Sequence, residues 1–494
     1  MQTVWVMGDQ LNRSIGALAD ARPSDTRVLM VESAALFEQG GFHRQRIHLV
    51  RAAMRRFAIE LRADGFDVDL VVAPTLAAGF EDHLLRHGPA DVVATEPNGA
   101  GVARLLARLG VSTVRSNQFL CHRDEFAAWA EGRPRLVLED FYRWRRNALG
   151  YLMEDGAPLG DRWNLDGDNR RPPPAGTAPW PEPIRFELDQ LDREVVATLP
   201  VGAPGAEPVG WWPTSRSQAL TQLDHFVEEV LPHFGPYEDA MLSTDWHLAH
   251  SLLSPALNLG LLLPREVCDR VEERYHRGGV PLNSAEGFIR QVVGWREFVW
   301  GISWLWPEQE EANALEHHLP LPPSFVGAAP TTLACLGSAL EGLHERGWVH
   351  HIQRLMVLSN IANLVGVEPV EVRRWMRRMY VDGADWVMGP NVMGMGLWAD
   401  GGRMSTKPYI SGGGYINKMS DHCRRCRYEP GKRTGETACP LTTLYWDFLD
   451  RHRAVLASNH RMAPQYGTLN RLSDMTQVRE RARFVIAEIS AGRM

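Results

Sequence analysis

Short apolar runs and helical patches alternate along the first part of the chain. The β-rich runs are Thr3–Met7, Arg27–Val31, Val68–Ala73 and Asp91–Thr95. Between the second and third lies Phe42–Ala63, apolar at helical spacing with arginines on its other face. Repeated β-α alternation predicts a parallel sheet with helices on both faces. Ligands of such sheets sit at the carboxyl ends of strands. That rule marks Gly8, Asp9 and Gln10 after the first strand and Glu32 after the second, with helix capping an equally good role for Asp9. Gly99-Ala-Gly101 lacks the third glycine of a dinucleotide fingerprint and carries little weight.

The pattern then changes twice. Pro172 to Pro213 holds ten prolines and reads as a long connector. Just before it, Arg162-Trp-Asn-Leu-Asp166 is dense in aromatic, amide and charged groups, which predicts an ordered loop that touches something. From Thr214 onward the periodicity is helical almost throughout: Leu220–Leu231, Pro264–Tyr275, Ala285–Trp304, Leu333–Glu345, His350–Val365, Glu371–Tyr380 and Thr442–Asn459. The predicted organisation is an α/β domain over 1–130, a connector over 131–218 and a large all-α domain over 219–494.

Composition narrows the class. A chain of 494 residues is long enough for two or three domains. No apolar run reaches membrane-spanning length, and MQTVWVMGDQL reads as a first strand rather than a signal peptide. Six cysteines in such a chain point to a reducing compartment, the cytoplasm, rather than a disulfide framework. The net charge is −7, yet Asp400–Trp446 carries eight Lys and Arg against four Asp and Glu. A local basic face is what nucleic-acid binding needs.

That basic stretch also contains Cys423, Cys426 and Cys439, while Cys335 stands alone 88 positions before Cys423. A CxxC pair in a polar, Arg-rich loop is not core packing. A structural zinc site and an iron–sulfur cluster both remain open; a cluster tolerates one remote ligand and suits the Cys-Pro that closes the run. His350 and His351 are adjacent in Gly347-Trp-Val-His350-His351-Ile-Gln-Arg354. On a helix such neighbours point about 100° apart, so they would not chelate one metal, but one facing a pocket could transfer protons near neutral pH. Asp382 and Asp385 could pair with Arg354, as a strut or as a clamp on a polar ring.

Together these motifs resemble the photolyase and cryptochrome superfamily, and within it the prokaryotic iron–sulfur branch of bacterial (6-4) photolyases and cryptochromes. The residues that carry the resemblance span nearly the whole chain. They are Gly8-Asp-Gln-Leu11, Arg162-Trp-Asn164, His250-Ser-Leu-Leu-Ser-Pro255, Phe288-Ile-Arg-Gln, Gly294-Trp-Arg-Glu-Phe298, Trp348-Val-His-His-Ile-Gln-Arg-Leu-Met356, Pro390-Asn-Val, Lys407-Pro-Tyr409, Tyr415-Ile-Asn and four cysteines.

The resemblance implies FAD in the helical domain. Tyr237 and His250, Ser251, Leu252, Leu253 and Ser254 would cradle its phosphates. Arg296, Arg354, Asp382 and Asp385 would surround its ring, with Asn391 the nearest amide beside Met388. It implies a [4Fe-4S] cluster on Cys335, Cys423, Cys426 and Cys439, which favours that option over zinc. It implies repair of UV-damaged DNA by a monomer, with His351 as proton donor to a (6-4) lesion, His350 as its neighbour, Tyr409 facing the lesion, and Arg403 to Arg433 touching phosphates. Trp375 matches a tryptophan used for flavin photoreduction, followed by Met376 where relatives can have tyrosine; the stretch from Phe325 lacks an aromatic that relatives place there. A 6,7-dimethyl-8-ribityllumazine antenna would fall near Asp9 and Glu32, although relatives that bind it have a carboxylate where this chain has Leu36, with Glu38 close by. The segment ending near Asp166 would approach the DNA with a divalent cation such as Mg2+. The competing readings are a cryptochrome-type photoreceptor with the same cofactors and a redox-sensing iron–sulfur protein that binds nucleic acid.

Overall fold

The computed structural model describes residues 1–89, 91–174 and 178–494. Its N-terminal part is a parallel sheet of β1 (Gln2–Val6), β2 (Thr26–Ser33), β3 (Asp67–Ala73), β4 (Val92–Thr95) and β5 (Ser112–Val114) in the order β3-β2-β1-β4-β5. The short, exposed β5 escaped the apolar pattern. Strand alternation sends side chains to two cores. Val4, Val6, Val28 and Met30 pack with Leu49, Ala53 and Phe57 of the helix Arg44–Ala63. Trp5, Met7, Leu29 and Val31 pack on the opposite face with Phe80 and Leu106, and Trp5 stacks on Phe80 at 5.0 Å. Burying each such side chain contributes about 1.5–3 kcal/mol before entropy is counted.

The connector is docked at several points. Asp192 accepts from His48 and Arg56 of the helix Arg44–Ala63. Trp212 donates its indole N–H to the Arg346 carbonyl, and Ala206 donates to that of His344. The boundary at 131 falls ahead of a helix, Leu138–Leu149, whose Tyr142 and Phe141 are buried in the same apolar clusters as residues of the helical body.

The helical body contains the expected segments, with one systematic difference. Segments that read as continuous α-helices widen into π turns at Phe226–Val230, Arg290–Arg296 and Gln353–Ser359, and a fourth π turn, Gly389–Gly396, lies outside the expected helices. Apolar periodicity cannot register one inserted residue per turn. Such insertions recur at functional sites, and three of these four turns carry Arg296, Arg354 and Asn391.

Candidate active site

Arg354 and Asp382 form the centre. Their bidentate pair spans 2.9 and 3.0 Å, and Arg354 Nε donates to the Val349 carbonyl at 2.7 Å. The guanidinium lies 4.0 Å over the Tyr380 ring. Ser254 Oγ donates to Asp382 Oδ2 at 2.7 Å, and Asn258 Nδ2 to the Asp382 carbonyl at 3.0 Å. The loop before Ser254 is strained, with Leu248 at φ +45° and Leu252 at φ +57°. Left-handed backbone at non-glycine residues costs energy that the surrounding structure must hold. Leu252 and Leu253 are buried, and Leu253 N donates to Ser251 Oγ at 3.4 Å.

Beside this pair stand three histidines. The His250 and His350 rings stack at 4.7 Å, and His250 lies 5.5 Å from His351. Donor atoms of all three fall within 4.8 Å of one another. The expectation that His350 and His351 diverge assumed both on a helix; His350 precedes the helix, so the angular argument does not apply. Among the described residues, both nitrogens of buried His350 and the Nε2 of His250 have no hydrogen-bond partner. Burial, reinforced by neighbouring rings and the Arg354 guanidinium, holds both imidazoles well below their usual range. His351 differs: its side chain is 48 % exposed and its Nε2 stands 3.5 Å from Asp239 Oδ1.

Acidic and aromatic groups surround that opening. Asp166, on the loop foreseen as ordered, accepts from Arg290 at 3.1 Å and also pairs with Arg170. Asn169 of the same loop is buried against Glu238 and Asn283. Burial pushes the Glu238 carboxyl up to about 7. Burial raises the Tyr409 hydroxyl, and Asp166, Arg170 and Asp239 are all close enough to bias it. Burial likewise raises Tyr415, which faces Asp239 and Arg170. Glu238 and Asp239 were missed from sequence, although they follow Tyr237 directly. Tyr237 itself packs edge-on to Trp180 of the connector at 5.4 Å.

Several expected residues lie elsewhere. Asp385 is exposed and pairs with Arg377, so it does not face the Arg354–Asp382 pair. Arg296 pairs with Glu297 at 2.8 Å and lies 4.1 Å over Phe119 and 5.4 Å over Trp386, where the helical body meets the α/β domain. Asn391 Nδ2 donates to the Val387 carbonyl at 2.9 Å within its own segment. Trp375 is buried, donates its indole N–H to the Phe325 carbonyl and packs edge-on to the Phe325 ring at 5.1 Å. Glu32, expected near an antenna, lies inside β2, buried, and both its oxygens are taken by Arg51 and Arg55. Asp9 hydrogen-bonds Asn98 rather than capping a helix, and burial pushes its carboxyl up to about 6. Of the basic stretch, Arg403, Lys432 and Arg433 are held by Glu308, Glu429 and Asp474; Lys418, Arg424 and Arg425 are exposed.

The four cysteines come together in space. Cys335 opens the helix Ala334–Arg346, Cys439 caps Pro440–Arg451, and Cys423 lies in the turn His422–Arg425 just ahead of Cys426. Burial and the three other thiols push Cys335 up, and Cys423 is pushed up to about 12. Gly413 makes room for the quartet, because a Cβ there would sit 2.7 Å from Cys439 Sγ.

The chain is 40% identical over 490 residues to a (6-4) photolyase from Agrobacterium fabrum, covering 96% of each sequence. It belongs to the photolyase family. Residues 4–204 match the family described as deoxyribodipyrimidine photo-lyase-related protein. A bacterial class III photolyase from Agrobacterium tumefaciens shares the fold, with TM-score 0.60 and 17% identity over 92% of this chain and 98% of that one. A cryptochrome from Synechocystis has TM-score 0.50 and 15% identity over 80% and 82%. Membership in the photolyase family implies FAD as cofactor. Among the described residues, the His250 Nε2, both His350 nitrogens and the buried Tyr380 hydroxyl beside Arg354 lack partners, which fits a polar ligand next to them. Among the described residues, no helix is long and apolar enough to cross a membrane.

Proposed function

We propose that the chain repairs pyrimidine (6-4) photoproducts in UV-damaged DNA, driven by light. The observation behind the reading is the asymmetry of the three histidines: burial holds His350 and the half-buried His250 neutral, while His351 is exposed with a carboxylate beside it. FAD, bound and reduced, would supply on excitation the electron that opens the lesion. Arg354 and Asp382 would hold its ring, with the His250–Ser254 loop at its phosphates.

His351, half-exposed beside Asp239, would give the proton. With Nε2 facing Asp239, Nδ1 is the nitrogen left to deliver it to the lesion. His350 and His250 stay neutral behind it and present nitrogens to the polar atoms of the bound groups. Tyr409 and Tyr415 border the opening and can hydrogen-bond a base turned out of the stack. A damaged, poorly stacked site is the cheapest one to turn out.

Asp239, and Asp166 on exchanging Arg170 and Arg290 for the ion, would offer oxygen ligands for Mg2+, whose charge would offset their repulsion of the lesion phosphates. Lys418, Arg424 and Arg425 would contact the strand. The cysteine quartet would hold a [4Fe-4S] cluster whose negative charge the adjacent Arg424, Arg425 and Arg427 offset. Its task would be to pin the basic loop to the helix bearing Cys335.

The test is direct. Flavin-reduced protein is mixed with an oligonucleotide bearing one (6-4) photoproduct and Mg2+, then lit with blue light. Restoration of intact thymines is expected. A lesion left unchanged while the protein retains FAD would leave a photoreceptor role in its place.

A further inference from the structure

The α/β domain contains a donor set that repair does not use. Asp69 stands on β3. His83 and His87 are four residues apart on the helix Leu76–His87, hence on one face of it. Donor atoms of the three all lie within 4.8 Å of one another. Asp69 Oδ2 is 2.6 Å from His83 Nδ1 and 3.3 Å from His87 Nε2.

We propose that Asp69, His83 and His87 bind one divalent ion of the zinc class, which clips the edge strand β3 to its covering helix. Two imidazoles and one carboxylate are the ligand set of an open tetrahedral site. Ligands about 2.1 Å from such an ion lie about 3.4 Å from each other. The His87–Asp69 distance already meets that spacing, and His83 needs to withdraw by less than about 1 Å.

The neighbours prepare the set for a cation. Thr3 Oγ1, on β1, lies 3.3 Å from His83 Nε2. Without the ion, Nδ1–H donates to Asp69 across 2.6 Å; on binding, Thr3 Oγ1 would accept from Nε2–H and leave the Nδ1 lone pair for the metal, as an outer partner does for a ligating imidazole. Arg86 donates to Asp69 Oδ1 at 2.7 Å and is itself held by Asp82 at 3.0 Å. The carboxylate is thereby oriented with Oδ2 toward the histidines. Gly79 brings the helix down: a Cβ there would sit 2.4 Å from Val31 Cγ1. His83 is buried while His87 is open to solvent, so an ion can reach the site and keep a water as fourth ligand.

The test is a Co2+ titration of the untagged protein with its cofactors bound, read as a difference spectrum so that flavin and iron–sulfur absorption cancel. One equivalent is expected to bring in visible ligand-field bands and to raise the melting temperature. His87→Ala should abolish both and leave photorepair unchanged. Thr3→Val should weaken Co2+ binding by about tenfold or more. His351→Ala should leave the bands in place, which separates this site from the histidines of the cleft. No bands in the wild type, bands retained in His87→Ala, or bands lost in His351→Ala would each overturn the proposal and leave a hydrogen-bonded network only.

Discussion

Two groups of histidines sit about one ring's reach from their partners, and they are built in opposite ways. Around Asp69 and His83 the polar atoms meet partners, Thr3 behind the ring and Arg86 behind the carboxylate, with His87 on the solvent side. Around His250, His350 and His351 three ring nitrogens meet nothing among the described residues, and the single carboxylate stands 3.5 Å off the exposed ring. Burying an unsatisfied nitrogen costs about 1–3 kcal/mol. A fold carries that cost where a ligand repays it. The closed group is a device for holding structure; the open one is a place for chemistry.

Substitutions in the two groups should have very different effects. The largest effect is expected at the open group. His351→Ala should lower the repair rate by about 10²–10⁴-fold while FAD stays bound, as absorbance and product analysis would show. Full repair by that variant would place the proton elsewhere. Next comes the clamp beside it. Asp382→Asn leaves the Arg354 guanidinium unpaired in a half-buried setting, and breaking such a pair costs about 3 kcal/mol or more; reduced FAD content and a lower melting temperature are expected.

A smaller and opposite effect is expected from Glu238. Burial raises its carboxyl to about 7 in the folded chain, from 4.5. The folded state therefore holds the proton more tightly, so this residue subtracts stability as pH rises from about 4.5 through about 7. Glu238→Gln should gain up to about 3 kcal/mol at pH 8 and almost nothing at pH 4. Equal melting shifts at both pH values would refute the assignment. Charge contacts at the rim come next: Arg424→Ala and Arg425→Ala should each reduce the salt slope of DNA binding by about 1, measured by titration at several ionic strengths. Last is the closed group, where His87→Ala should change repair by less than about twofold, in line with a surface substitution away from the site.

Much of this was legible beforehand, for identifiable reasons. The alternation of Val4, Trp5, Val6 and Met7 between two cores is a period of two, and a period of two is visible in sequence. The CxxC pair was visible because its spacing is local. The ion pairs of Glu32 were not legible, because a carboxylate near a strand end looks the same whether a ligand or Arg51 and Arg55 will meet it. The same holds for Asp385, whose charge meets Arg377 across a turn. Asp239 and Glu238 gave no signal of their own.

The sequence by itself determined the element types, the β-α order followed by a helical body, and the residue chemistry of the site: arginine, histidine, tyrosine, four thiols. These depend on patterns within a few residues. Contacts between distant segments set which carboxylates are spent on arginines and which stay free, and they leave His351 half-exposed while His350 is buried. They also place His83, His87 and Asp69 around one point. Those outcomes depend on contacts between segments far apart in the chain, where a shift of one residue, as in each π turn, redirects a side chain without altering the apolar pattern.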